Sequence, residues 1–162
     1  MIKVGDPLPA VTLTESVDGA PTPVEVAKAA EGKTIALFAV PGAFTPTCSN
    51  QHVPSFLDNR AALSAAGVDE IWCLAVNDPF VMDAWAKTQG TAGKIRMLAD
   101  GNAEFAKAVG LTLDASGLGL GLRSQRYSML VKNGKVATLN VEGDPNKAEV
   151  SDGATLLAQA RS

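Results

Sequence analysis

Cys48 stands where a thiol can do chemistry. It closes the string Pro41-Gly42-Ala43-Phe44-Thr45-Pro46-Thr47-Cys48, in which an apolar run stops at a Pro-Gly break. Thr45 suits a helix N-cap and Pro46 the first helical position. Cys48 then falls in the first turn of the expected helix. Backbone N–H groups there lack intrahelical partners, and the helix dipole is positive. Such a setting favours the thiolate, the nucleophilic form of cysteine. The chemistry this permits is attack by sulfur on an electrophilic centre.

The other chemistry-bearing residues narrow the choice. Cys73, 25 positions after Cys48, is the second of two cysteines, and His52 is the one histidine. Cys48 and His52 are one helical turn apart, but two ligands are too few for a structural zinc, so no metal is expected. No Cys-x-x-Cys surrounds Cys48, which argues against a dithiol oxidoreductase of thioredoxin type. A cysteine hydrolase is weaker still, because His52 sits on the nucleophile's own helix with doubtful acid–base reach. Gly117-Leu118-Gly119-Leu120-Gly121 lacks the dinucleotide spacing and the P-loop lysine, so it reads as a loop and no organic cofactor is expected. A net charge of −3 excludes a basic nucleic-acid surface. No apolar run approaches the roughly 20 residues of a membrane span. The N-terminus carries no apolar signal segment, and two cysteines make no disulfide framework. The chain therefore reads as cytoplasmic, with an organelle reached by a cleaved presequence as the alternative.

The elements that must position Cys48 follow from the apolar pattern. At 162 residues the chain reads as one domain, residues 1–162. Thr34–Val40 is continuously apolar, as a strand buried on both faces is. Pro46 to Ala65 reads as a helix with Val53, Phe56, Leu57 and Ala61 on one face, and Pro54 should kink or loosen it. Ile71–Val76 and Ile95–Ala99 read as further strands. Asn77-Asp78-Pro79 opens a helix carrying Val81, Met82, Trp85 and Ala86, and Asn102–Val109 is a shorter one. Asp18–Pro23 reads as a loop, Val24–Ala30 as a short helix or irregular, and Thr112–Arg123 as a glycine-rich loop. Arg126–Val131 and Lys135–Val141 flank Asn133-Gly134, a strong hairpin signal. Ser151–Arg161 closes the chain as a helix. Early βαβ units imply parallel strands with right-handed crossovers, and the hairpin adds an antiparallel edge. The layout resembles an α/β thioredoxin-like three-layer sandwich, a mixed central sheet with helices on both faces. In such sheets reactive groups collect beyond the carboxyl ends of strands, which is where Cys48 lies.

Pro41-x-x-x-Thr45-x-x-Cys48 resembles the peroxiredoxin active-site motif. The longer string through His52 and Pro54 is similar to the type II, or peroxiredoxin-five, class. Trp72-Cys73 through Asn77-Asp78-Pro79-Phe80, and Arg123-Ser124-Gln125-Arg126-Tyr127-Ser128, resemble the same class in order and spacing. The resemblance implies a thiol peroxidase reducing hydrogen peroxide and organic hydroperoxides through a Cys48 sulfenic acid. It implies recycling by glutathione, glutaredoxin or thioredoxin, and a homodimer. A peroxide sensor or redox-regulated holdase using Cys48 is the alternative from another class.

Thiol activation alone does not supply the rate. A free thiol of pKa about 8.5 is about 3% thiolate at pH 7. Lowering that pKa by roughly three units gains about 30-fold in thiolate, and the accompanying fall in nucleophilicity takes back roughly 20-fold. The remaining work falls to donors aimed at the peroxide oxygens as their bond stretches. The backbone N–H groups of Thr47 and Cys48 are two. The Thr45 hydroxyl is a third, unless it serves only as an N-cap accepting from the Cys48 N–H. An arginine fork is a fourth, and the resemblance makes it Arg126, with Arg123 nearby and less favoured. Pro41 is expected to shield the sulfur. His52 is expected to hydrogen-bond behind Cys48 rather than act as acid or base, and Phe44, Phe80 and Trp85 to be core, pocket wall or dimer contact. Cys73 has two readings. It is the resolving thiol, as the matching cysteine is in some type II members, or it is core and an external thiol resolves Cys48. A disulfide needs Cα atoms within about 7 Å, and a mid-strand Cys73 would reach Cys48 only if the helix unwound.

Overall fold

The computed structural model describes residues 1–162. The apolar run Thr34–Val40 is a central strand, β3, of a seven-stranded sheet. Before it come β1 (Thr12–Val17), β2 (Ala20–Glu25) and a single helical turn, α1 (Val26–Ala29). After it come β4 (Glu70–Ala75), β5 (Arg96–Ala99), β8 (Tyr127–Lys132) and β9 (Lys135–Val141), in the spatial order β2-β1-β5-β4-β3-β8-β9. β3, β4 and β5 are parallel, and the two edges are antiparallel hairpins. Strand alternation divides β3 between two cores. Ile35, Leu37 and Ala39 join one with Trp72 and Leu74, while Ala36, Phe38 and Val40 join the other with Cys73 and Cys48. Helices α2 (Val53–Asp58), α3 (Arg60–Ala65), α4 (Pro79–Gln89) and α6 (Gly153–Arg161) cover the face of Cys48. Short α1 and α5 (Glu104–Val109) cover the other.

Three sequence expectations are corrected. Asp18–Pro23 is not a loop. Asp18 and Gly19 both adopt positive φ, 52° and 80°, and make the tight turn joining β1 to β2. Pro21 and Pro23 fit β2 because it is the edge strand, where a missing N–H costs no ladder bond. Thr112–Arg123 is likewise not an open loop but a small hairpin of β6 (Thr112–Asp114) and β7 (Leu122–Ser124). Third, the defect expected at Pro54 within Pro46–Ala65 is present, but as a π turn with a second break further on rather than a kink in one helix. The segment starts at Pro46, widens to a π turn over Cys48–His52, continues as α2, breaks at Asn59 and resumes as α3. Pro54 has no N–H to give to Asn50, and the Val53 N–H reaches back five residues to the Cys48 carbonyl.

Two registers bring the site together. β8 runs antiparallel to β3 with Tyr127 opposite Ala39, so Arg126 lies beside the point where β3 runs out into Pro41. The Asn133-Gly134 turn sets β9 against β8 with Tyr127 opposite Val141. The ladder extends one step further, the Glu142 N–H donating to the Arg126 carbonyl at 3.0 Å.

Candidate active site

Cys48 and Arg126, 78 residues apart in sequence, meet: Arg126 Nη2 donates to Cys48 Sγ at 3.1 Å. The guanidinium is only 2% exposed and is held on two more sides. Its Nε donates to the Pro145 carbonyl at 3.0 Å and its Nη1 to His52 Nδ1 at 2.9 Å. Three of its five N–H groups are thus used, and one on each terminal nitrogen remains free.

His52 is wedged against Phe38 and Phe56, with ring centroids 4.8 and 5.8 Å away. Its Nε2 lies 2.8 Å from the Ser151 carbonyl, which can only accept. The proton therefore sits on Nε2, and Nδ1 offers its lone pair to Arg126. Burial, reinforced by the Arg126 charge and opposed by the Ser151 carbonyl, lowers the ring's pKa to about 3. His52 is a neutral acceptor behind the arginine.

Thr45 does not accept from the Cys48 N–H. Its hydroxyl donates to the Gly42 carbonyl at 2.7 Å, leaving its lone pairs as its remaining capacity. The N–H groups of Thr47 and Cys48 make no hydrogen bond within the chain. The Thr47 hydroxyl donates to the Asn146 carbonyl at 2.9 Å. Asn77 accepts the Ala43 N–H at 2.9 Å and steadies the loop before Cys48, while its neighbour Asp78 caps α4. Arg123 is not at the sulfur. It donates to the Leu120 and Val76 carbonyls, and its Nη1 stands 3.2 Å from where a Cβ on Gly42 would be, which is why that position suits glycine.

Pro41 is buried and Phe44 is 52% exposed at a positive φ of 65°. Phe80 is largely exposed as well, whereas Trp85 is core and donates to Ser49 Oγ at 3.1 Å. Cys48 itself presents no surface to solvent. The largest cavity, about 560 Å³ between the first hairpin and α4, is lined by Glu15, Asp83, Lys87 and Arg96 and does not touch it.

Residues 3–157 match the family model described as Redoxin. Peroxiredoxin-2C of Oryza sativa subsp. japonica is 53% identical over 119 residues, 74% of each chain. Peroxiredoxin-2E-2, chloroplastic, of the same species is 47% identical over 146 residues, covering 87% of this chain and 65% of that one. The solved structure of reduced Prx3 in complex with hydrogen peroxide from Vibrio vulnificus superposes with a TM-score of 0.93. It is 49% identical and covers 99% of this chain and 96% of its own. The chain belongs to the peroxiredoxins. Peroxiredoxins are thiol peroxidases, oxidoreductases that take a peroxide and a thiol reductant, and the fold here is theirs. Some of these relatives carry a chloroplast name and others do not, and no helix of this peroxiredoxin is long and apolar enough to cross a membrane.

The peroxiredoxin's second cysteine, Cys73, sits mid-strand in β4 between Phe38 and Met97, facing the same core as Cys48. Burial pushes its thiol well above the usual range, helped by the nearby Cys48 charge and opposed by Arg126. Three residues that sequence reasoning missed complete the surroundings: Pro145, Ser151 and Glu142. Two of the contacts run through backbone carbonyls, which leave no trace in residue type. Glu142 would have been visible only from the hairpin register that sets it across from Arg126.

Proposed function

We propose that Cys48 is the peroxidatic nucleophile for hydrogen peroxide and organic hydroperoxides, with Arg126 and Thr45 as the residues that act on the peroxide. The observation that carries this reading is the buried guanidinium 3.1 Å from the sulfur. The thiolate attacks one peroxide oxygen, an S–O bond forms as the O–O bond breaks, and the other oxygen leaves as water or alcohol after taking a proton. Cys48 becomes a sulfenic acid. The free Nη2 N–H of Arg126 and the N–H of Cys48, with that of Thr47 beside it, donate to oxygen as charge builds there. Thr45, its own proton held by Gly42, accepts from the peroxide O–H. Pro41 shields the sulfur. An external thiol, from glutathione, glutaredoxin or thioredoxin, then attacks the sulfenic acid and releases water. A second thiol frees Cys48. Cys73 is buried and protonated mid-strand, which supports a structural rather than a resolving role. The homodimer belongs to the same proposal, with exposed Phe44 and Phe80 as apolar surface for pairing to cover.

The test is peroxide consumption with each reductant. Cys48→Ser is expected to abolish it, Arg126→Ala to lower it by about 10²–10³-fold, and Cys73→Ser to leave cycling intact. A dimedone adduct on Cys48 after one equivalent of peroxide identifies the sulfenic acid. Consumption that survives Cys48→Ser overturns the reading.

A further inference from the structure

We infer that Glu142 is a positioning residue for Arg126, acting through the loop between β9 and α6; this rests on the reading of Cys48 and Arg126 given above. Glu142 is a buried carboxylate, 8% exposed, that forms no ion pair with the nearby guanidinium. Its Oε2 instead accepts the backbone N–H groups of Glu149, Val150 and Ser151 at 3.0, 2.9 and 2.7 Å, and the Ser151 hydroxyl at 2.5 Å. One oxygen thereby folds the loop back onto the end of β9.

That loop is what the site leans on. Its Pro145 carbonyl takes the Arg126 Nε–H, its Asn146 carbonyl takes the Thr47 hydroxyl, and its Ser151 carbonyl takes the His52 Nε2–H. His52 in turn accepts from Arg126 Nη1. Two of the three restraints on the guanidinium therefore trace back to the Glu142 carboxylate, and so does the hold on the turn that carries Cys48. A carboxylate suits this task because it accepts several N–H donors at once without offering a proton of its own. Because Glu142 also pairs through its N–H with the Arg126 carbonyl, the backbone and side chain of the arginine are fixed from one position.

The test is a double-mutant cycle on the rate of Cys48 oxidation by hydrogen peroxide, using Glu142→Gln, Arg126→Ala and both together. Glu142→Gln is expected to slow oxidation about 10-fold, as outer-shell changes do, and to change it less than about 2-fold when Arg126 is already alanine. In ¹H–¹⁵N spectra the Arg126 Nε–H resonance is expected to shift and exchange faster in Glu142→Gln. An equal loss in both backgrounds, or an unmoved Nε–H signal, means a merely structural role and overturns the inference. If Arg126→Ala alone leaves the rate unchanged, the reading of the site falls instead, so the two failures are distinguishable. Should Glu142→Gln not fold, Glu142→Asp draws the carboxylate back from the same donors and enters the same cycle. It is expected to slow oxidation about 3-fold with Arg126 present, and an additive loss again overturns the inference.

Discussion

The meeting of Cys48 with Arg126 was legible through the resemblance carried by Pro41-x-x-x-Thr45-x-x-Cys48 and by Arg123–Ser128, because a lone cysteine or arginine has many other uses. What the sequence hid was how they are held. His52 is expected behind Cys48, but its neutral state follows from Phe38, Phe56 and a carbonyl 99 residues away. That state has a measurable consequence. An unfolded chain protonates the ring near pH 6.5, whereas the folded one resists until about pH 3. Between those values the unfolded state binds more protons, so lowering the pH destabilises the fold, by about 2 kcal/mol at pH 5. Urea unfolding at pH 5 and pH 7 is expected to show this loss, and His52→Gln to remove most of it. With one histidine in the chain, its ring resonances are readily followed and are expected to stay in the Nε2–H form from pH 5 to 9. A ring titrating near 6.5 in the folded protein would refute the account. Glu70 does not confuse the window. Burial raises its pKa, but hydrogen bonds from Lys33, Trp72 and Arg96 prevail and hold it at about 2, so its contribution fades only below about pH 4.5.

At the scale of elements, buried parallel strands announce themselves by unbroken apolar runs, while β2 and β6 do not. Prolines at 21 and 23, and the glycines after Thr112, carry turn signals that only edge position or a small hairpin reconciles with strand. The helix after Cys48 was legible as an element with a defect at Pro54, and the defect turns out to be a π turn. Such a turn shifts the face of everything before it by about one residue, roughly 100°, relative to a regular helix. Cys48 meets Arg126 while Val53 and Phe56 still face the core. Pro54→Ala restores an N–H and lets the regular helix compete. It is expected to slow peroxide reduction about 10-fold, read by single-turnover oxidation. Unchanged kinetics would show that the π turn does not set the sulfur's position. Where α6 begins, Gly153 donates to Ser55 Oγ, and a Cβ there would fall inside the Ser55 carbonyl, with Phe56 N at 3.0 Å. Gly153→Ala is expected to cost about 1–3 kcal/mol, seen as a lower urea midpoint.

Across the whole molecule, the decisive fact is that both sulfurs are closed off from solvent while lying on one face of one sheet. They are not closed off equally. Cys48 opens a widened turn and, like Thr47 before it, has an unpaired N–H, whereas Cys73 is laced into β4 between two paired strands. Opening the turn breaks a few bonds, while opening β4 breaks the sheet, and local openings draw on the least stable segments first. On the proposed reading of Cys48, local motion of that turn is the expected way in for a hydroperoxide. Below the urea unfolding transition, iodoacetamide is expected to label Cys48 at a rate that rises gently with urea, while Cys73 stays unlabelled until global unfolding, each followed by mass spectrometry of its peptide. Equal labelling of both sulfurs below the transition would mean that β4 opens with the helix. The route through a Cys48–Cys73 disulfide would then be as accessible as attack by an external thiol, and the structural role proposed for Cys73 would fall.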